Sequence, residues 1–264
     1  MYRMCKLIFI LIAWTSFNVN LFAEMKLAII KDTDGFTNIR SGQGSKYEII
    51  GQIKSSEFFY YEQSNGDWYA VIAFQWLPNG EQLKGYDYKS RICAIIDLPI
   101  NEQKDIISKV FRDYIKFNEQ WVSFHALQKQ KKGHFNNPAD SIKAMELSIA
   151  DFKFIDSKYD PILIYFPSFF CKTKDTAMLE LLFNTIWANK GSANEQPSFT
   201  LEQCYVCNEN LFLSLLQSVK NREQLDLLIN DTIWGLENYF DIDEDSKTIT
   251  NKNFSRLKDK LIKK

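Results

Sequence analysis

Residues 34–44 read Asp-Gly-Phe-Thr-Asn-Ile-Arg-Ser-Gly-Gln-Gly and end in a glycine-rich loop. Gly42 and Gly44 allow backbone conformations that a side chain would forbid, and Ile39 and Ile50 fit inward positions of strands. Arg40 has two possible roles. Its guanidinium can orient a loop by hydrogen bonds to backbone carbonyl groups, or it can bind an acidic group of a ligand. The stretch predicts a strand followed by a tight loop.

Short strands and turns are predicted from residue 25 to about residue 96. Asn65-Gly66 lies between two aromatic, alternating runs. It predicts a hairpin with a type I′ turn, whose two central residues both need positive φ. Five or six strands in about 70 residues imply a small barrel or sandwich. The strands are expected at residues 27–30, 36–39, 48–53, 58–62, 68–74 and 85–88.

Residues 38–44 resemble the opening signature of a bacterial SH3-like domain, Asn-[Val/Ile]-Arg-Ser-Gly-x-Gly, and later pieces agree in order and spacing. The resemblance covers about residues 25–95. The resemblance implies a small β-barrel in an exported protein. Many members of this family bind cell-wall material or position a neighbouring domain. Two departures, a longer link at residues 73–84 and Asp87 in place of an apolar residue, are expected to reshape the loop rim beside a ligand.

The barrel region has more aromatic side chains than one core of about 70 residues can bury, so some must lie at the surface. Aromatic rings stack against sugar rings or extended peptides and are enriched at interfaces. Alternatively, these rings only cover the second domain. The tentative ligand-binding residues are Arg40, Tyr60, Trp68, Trp76, Tyr86 and Tyr88.

Beyond Asp97 the apolar residues follow helical spacing, and a helix is expected to start near Asn101. Further helices are predicted at about residues 139–150, 174–189, 209–220, 222–240 and 252–262, whereas residues 152–170 could be strand or irregular. The sequence therefore predicts an α+β multidomain chain. An SH3-like barrel at residues 24–96 precedes a mainly α-helical domain of unknown family at residues 97–264.

The N-terminus has the order of parts of a secretory signal peptide. Arg3 and Lys6 precede an apolar stretch at residues 7–14, and Ala23 offers a small residue for cleavage. The apolar stretch is too short to span a bilayer, so no transmembrane segment is expected after cleavage. Removal of residues 1–23 changes the formal net charge from −1 to −3. The chain is expected in the periplasm or outside the cell, and nucleic acid is a poor partner.

Four cysteines follow the predicted cleavage site, and an even number in an exported chain favours disulfides. Three pairings are open. The spacing of the last two also fits a redox couple or half of a zinc site, but a structural role is preferred and neither a metal nor a cofactor is expected. The disulfide candidates are Cys93, Cys171, Cys204 and Cys207.

Few residues suit covalent catalysis. A cysteine nucleophile needs a histidine base nearby, and the chain contains only His125 and His134, neither in a recognisable motif. Cys171 follows an apolar run, as a core or disulfide cysteine would. No catalytic residue is assigned.

Two features near the C-terminus also need an explanation. The acidic run at residues 241–245 resembles the start of a calcium loop, but it lacks the glycine and the closing glutamate. A helix at residues 251–264 would bring Phe254, Leu257, Leu261 and Ile262 onto one face. That face is expected to dock on the helical domain beside the acidic run, and a membrane-surface helix is the alternative.

These patterns predict an exported, non-enzymatic binding protein. Its SH3-like module would contact cell-wall glycan or peptide, or an envelope protein, while the helical domain makes a second contact. The alternative is a wall-modifying hydrolase with its catalytic site in the helical domain. A third reading is that the barrel only scaffolds that domain.

Overall fold

The computed structural model describes residues 25–130, 138–190 and 194–238, with side chains 125–130 excluded. Outside the described residues lie the predicted signal peptide, His134, the acidic run and the C-terminal segment. The chain divides into two compact units, and the second begins at Pro99. An antiparallel sheet in the first and helices in the second confirm the α+β class.

Seven strands form one antiparallel sheet: β1 (Lys26–Ile30), β2 (Phe36–Arg40), β3 (Ile49–Lys54), β4 (Phe58–Glu62), β5 (Trp68–Trp76), β6 (Gln82–Tyr88) and β7 (Ile92–Ala94). Short 3₁₀ turns lie at Lys89–Arg91 and Ile95–Asp97. The strand order β3-β2-β6-β5-β4-β1-β7 has two ends, and no ladder among the described strands closes it into a barrel. The ladder between β2 and β6 contains one residue pair, Arg40 with Tyr86.

The inner side of the sheet forms a small core. Ile39 is buried as predicted, but Ile50 is exposed. The reason is a register shift in the β2–β3 ladder, where Ile39 pairs with Gly51 and Arg40 with Ile49. Ile50 is thereby left without a partner in the ladder. The buried members of this core are Ala28, Ile30, Ile39, Ile53, Phe59, Tyr61, Val71, Ala73, Leu83 and Ala94.

The β4–β5 hairpin forms, but the predicted type I′ turn at Asn65-Gly66 is wrong. Positive φ occurs among the described residues only at Gly35, Gly44, Gly80 and Lys174. A five-residue loop at residues 63–67 joins the strands instead. The Ser64 hydroxyl stabilises this loop, because it accepts from the backbone N–H of Gly66 at 3.2 Å and donates to the Trp68 carbonyl at 3.1 Å.

The second unit is helical throughout its described part. A π-helical turn at Ile155–Tyr159 joins the second and third helices. No described helix is long and apolar enough to cross a membrane. The helices are α1 (Ile100–Gln130), α2 (Pro138–Phe154), α3 (Asp160–Thr173), α4 (Thr176–Ala188), α5 (Gln196–Cys207), α6 (Glu209–Ser218) and α7 (Arg222–Asn238).

Two helices differ from the sequence expectation. Residues 152–170 are helical, and Pro161 lies directly after the π-helical turn at Ile155–Tyr159, where the Asp160 N–H donates to the Ile155 carbonyl. Pro167 lies inside α3, and we attribute its tolerance to burial of Phe166, Phe169 and Phe170, since each buried ring contributes roughly 1.5–3 kcal/mol. Helix α5 was not predicted, since residues 194–200 are rich in polar residues and proline.

Candidate functional site

The strand register places four of the six ligand candidates on one face of the sheet. Trp68 pairs with Tyr88, and Ala70 pairs with Tyr86. Tyr86 also pairs with Arg40 across the junction to β2. Directly paired residues point to the same side of a sheet, as do residues two apart on one strand. Arg40, Trp68, Tyr86 and Tyr88 therefore share one side, which we call the aromatic face.

The rings of the aromatic face are in contact and partly open to solvent. Trp68 and Tyr88 pack edge to face, with ring centroids 5.6 Å apart and planes at 66°. Tyr88 is 38% exposed, and Trp68 and Tyr86 are half-buried. Beside them, the Lys89 ammonium lies 2.8 Å from the Asp67 carboxylate. The face thus offers fixed aromatic surface with a charged rim.

The other two aromatic candidates lie outside the group of Trp68, Tyr86 and Tyr88. Tyr60 pairs with Ile72 on the same side of the sheet, and its ring packs on Phe74 with centroids 5.3 Å apart. Trp76 is the last residue of β5 and is 61% exposed. Eight residues separate it from Trp68, which corresponds to roughly 26 Å along a strand. The structure therefore places Tyr60 at the margin of the aromatic face and Trp76 far from it.

Arg40 has a structural role in the loop that follows β2. Its Nη1 donates to the carbonyl of Tyr47 at 2.8 Å. This hydrogen bond fits the structural role expected for Arg40, which is to orient a loop through a backbone carbonyl. The Tyr47 ring in turn packs on Gly42, where an added Cβ would lie 2.6 Å from the Tyr47 Cδ1. This contact explains the glycine at position 42. The other guanidinium N–H groups of Arg40 have no acceptor in the described part of the chain, so they can bind a ligand.

Asp87, which replaces an apolar residue of the SH3-like pattern, lies on the opposite side of β6 from the aromatic face. It is buried, and its Oδ1 accepts from the Thr37 hydroxyl at 2.8 Å and from the Tyr88 backbone N–H at 2.7 Å. Burial raises the pKa of its carboxyl. Arg91 lies nearby and makes an ion pair with Asp32 at 3.1 Å. We infer that Asp87 fixes β6 against β2 and so supports the aromatic face.

A disulfide is confirmed between Cys171 and Cys207, whose Cα atoms are 5.8 Å apart. Cys93 and Cys204 are thiols. Cys204 is buried, and burial raises the pKa of its thiol, which makes it a poor nucleophile. Cys204 and Cys207 therefore do not form a redox couple with each other. No group of cysteine, histidine or acidic side chains in the described ranges could hold a metal ion.

Glu202 is a buried acid of the helical unit whose pKa is raised. It is buried on α5, and its Oε2 has no hydrogen-bond partner among the described residues. Burial raises the pKa of Glu202 from 4.5 to about 7. The folded chain therefore holds this proton more tightly than the unfolded chain does, and the resulting stabilisation is lost as the pH rises from about 4.5 to about 7.

Replacement of Glu202 by glutamine is expected to remove this pH dependence. Measured by denaturant unfolding, the stability of Glu202→Gln relative to wild type should increase by up to about 3 kcal/mol between pH 4.5 and pH 8. The exposed residue Glu180 supplies the control, and Glu180→Gln should show no such change. An equal pH dependence in wild type and Glu202→Gln would disprove the assignment.

Two clefts lie among the described residues of the helical unit. Asp231, whose pKa burial raises to about 6, lines a cleft of about 70 Å³, far below the roughly 300–1,000 Å³ of ligand pockets. A groove of about 400 Å³ between α1 and α4 contains Ser108 and Lys104. Ser108 donates to the Met178 sulfur at 3.2 Å, and Lys104 lies 2.6 Å from Asp175. Neither residue is therefore activated by a base.

Comparison of the chain with models of protein families, with curated proteins and with solved structures finds no match.

Proposed function

We propose that the protein is an exported, non-enzymatic binding protein whose SH3-like sheet contacts cell-envelope material through the aromatic face. The observation that carries the proposal is the edge-to-face contact of Trp68 with Tyr88, two partly exposed rings. Tyr86 and Arg40 lie beside them, so the face is built from strands β5, β6 and β2. The N-terminal pattern of a signal peptide and the signature at residues 38–44 support export and an SH3-like module.

The chemistry of the face fits a glycan or a peptide of the cell wall. Aromatic rings held by a sheet lose little side-chain freedom when a sugar ring or an extended peptide stacks on them. Arg40 adds N–H donors that suit a carboxylate, a group that both wall glycans and wall peptides carry. We propose a wall polymer as the ligand, and an envelope protein is the alternative that the binding test separates.

Truncation of the aromatic face is expected to weaken this binding. In a titration of residues 24–264 with soluble fragments released from cell-wall sacculi by a muramidase, Trp68→Ala should raise the Kd by about tenfold or more, or about 1.4 kcal/mol. Tyr88→Ala should act in the same direction, because it removes the edge-to-face partner of Trp68.

Trp76→Ala is the matched control, since Trp76 is a more exposed tryptophan on the same strand and lies away from the aromatic face. Its Kd should change less than about twofold. Equal losses in Trp68→Ala and Trp76→Ala would show that the ligand does not use the aromatic face. Absence of binding by the wild-type chain would remove the wall ligand and leave the protein partner.

The hydrolase alternative receives no support from a specific site. A Cys171 nucleophile is excluded while its sulfur is bonded to Cys207. Glu202, the buried acid with a raised pKa, lines neither the cleft beside Asp231 nor the groove between α1 and α4. We therefore propose a binding role and assign no catalytic residue.

A further inference from the structure

Helix α2 carries an uncovered apolar stripe. Ile142, Met145, Ile149 and Phe152 are between 52% and 66% exposed, and no residue of α2 is buried. Steps of three, four and three residues place these four side chains on one side of the helix. We call this surface the α2 stripe. Its spacing is that of the seam that a second helix covers in a coiled coil.

Other side chains hold α2 against α1. The Phe154 ring stacks on Tyr114 with centroids 5.6 Å apart and on Phe117 at 6.4 Å. The Lys143 ammonium lies 5.7 Å from the centre of the Phe124 ring. These contacts leave the α2 stripe exposed. Four large exposed apolar side chains in a row on one helix mark a surface that another segment or protein binds.

We propose that residues 251–264 of the same chain form an amphipathic helix that covers the α2 stripe. This segment lies outside the described residues. Phe254, Leu257 and Leu261 are spaced by three and then four residues, which matches the spacing of the α2 stripe. Three apolar side chains from one helix can thus pack between four from the other.

Charge favours this occupant. Residues 251–264 contain six cationic side chains and one acid, which gives a formal charge of +5. Residues 138–160, which include α2 and the turn after it, contain five acids and three lysines and carry −2. The opposite signs attract the segment to α2, and the cationic side chains outside the apolar seam stay in water.

The length of the connecting chain allows the contact. The last described residue is Asn238 in α7, and residues 239–253 can span up to about 50 Å when extended. A unit of 166 residues, from Pro99 to Lys264, has a radius of gyration of about 15 Å. The segment can therefore reach any surface of the helical unit.

The size of the stripe favours a segment of the same chain over a second copy. Four half-exposed side chains offer roughly 400 Å² of apolar surface, about half of the roughly 800 Å² per partner that a stable interface buries. A tethered segment has an effective concentration in the millimolar range and needs less buried area.

Amide hydrogen exchange of residues 24–264 tests the proposal. The double variant Leu257→Ser with Leu261→Ser, and deletion of residues 251–264, are each expected to speed exchange at residues 142–152 by about tenfold or more. The control replaces two cations of the same segment, Lys258→Ser with Lys260→Ser, and should change exchange less than about threefold. Helix α4 (Thr176–Ala188) is the internal reference, because its exchange shows whether the unit is still folded.

Three results would overturn the proposal. One is equal exchange at residues 142–152 in the wild type, the apolar double variant and the deletion. Another is an equal increase in the apolar and the cationic double variants. The third is protection at these residues that rises with protein concentration, which would identify a second copy as the cover.

Discussion

Replacement of both Cys171 and Cys207 by serine is expected to lower the free energy of unfolding of the helical unit by about 4 kcal/mol. The disulfide joins residues separated by 36 positions in the sequence, and closing a loop of this length in the unfolded chain corresponds to about 4 kcal/mol. The bond joins the end of α3 to the end of α5. Its loss should lower the Tm of a unit of this size by about 8–16 °C.

Calorimetry with and without a reductant separates the disulfide from a simple packing effect. The wild-type chain should lose a similar amount of stability when reduced, whereas the double variant should be insensitive to the reductant. Cys93→Ser is the control, because Cys93 is a half-buried thiol outside the bond. A reductant-insensitive wild type with the Tm of the double variant would contradict the assigned disulfide.

Truncation of Phe166 to alanine is expected to cost about 3–5 kcal/mol, the range for deletion of a fully buried phenylalanine ring. The Phe166 ring is fully buried. Its centroid lies 5.6 Å from that of Phe111 and 6.2 Å from that of Phe169. The space left by the ring cannot close without movement of both α1 and α3, so the cost should lie well above that of an exposed site.

Ile164→Ala is the matched control on the same helix, since Ile164 is 52% exposed. It should cost about 1 kcal/mol or less. Denaturant unfolding measures both variants, and an unchanged m value would show that the denatured state is not altered. Similar losses in Phe166→Ala and Ile164→Ala would contradict the packing described for α3.

The strands could be predicted because their apolar residues alternate and are bounded by glycine, proline and asparagine. Their finer register could not be predicted, because it depends on partners distant in the sequence. Ile50 illustrates this limit, since the shift between Ile39 and Arg40 leaves it unpaired and exposed. The Asn65-Gly66 turn is a second case, in which a serine hydroxyl stabilises a longer loop.

The helical unit was predicted less completely than the sheet. Residues 152–170 contain two prolines that suggest irregular structure, yet burial of three phenylalanines favours helix. The pairing of Cys171 with Cys207 depends on the packing of α3 beside α5, which sequence spacing does not reveal. The burial of Glu202 is equally a property of packing, because nothing in its neighbours along the chain distinguishes it from a surface acid.

The candidate site was predicted in its residue types and only partly in its geometry. Surplus aromatic residues indicated a surface role, and Arg40 was expected to orient a loop, as it does through Tyr47. The grouping of Trp68, Tyr86 and Tyr88 with Arg40, and the distance of Trp76 from them, come from strand register. Pairing across β2, β6 and β5 is a non-local property that the spacing of residues does not encode.

Co-sedimentation of residues 24–264 with isolated cell-wall sacculi at low and high salt tests the proposed function most directly. Contacts made by aromatic rings depend little on ionic strength, whereas exposed charge contacts are screened. We predict retention that persists at high salt and no release of soluble wall fragments. Absence of sedimentation at either salt concentration, or release of soluble fragments, would contradict a non-enzymatic wall-binding protein.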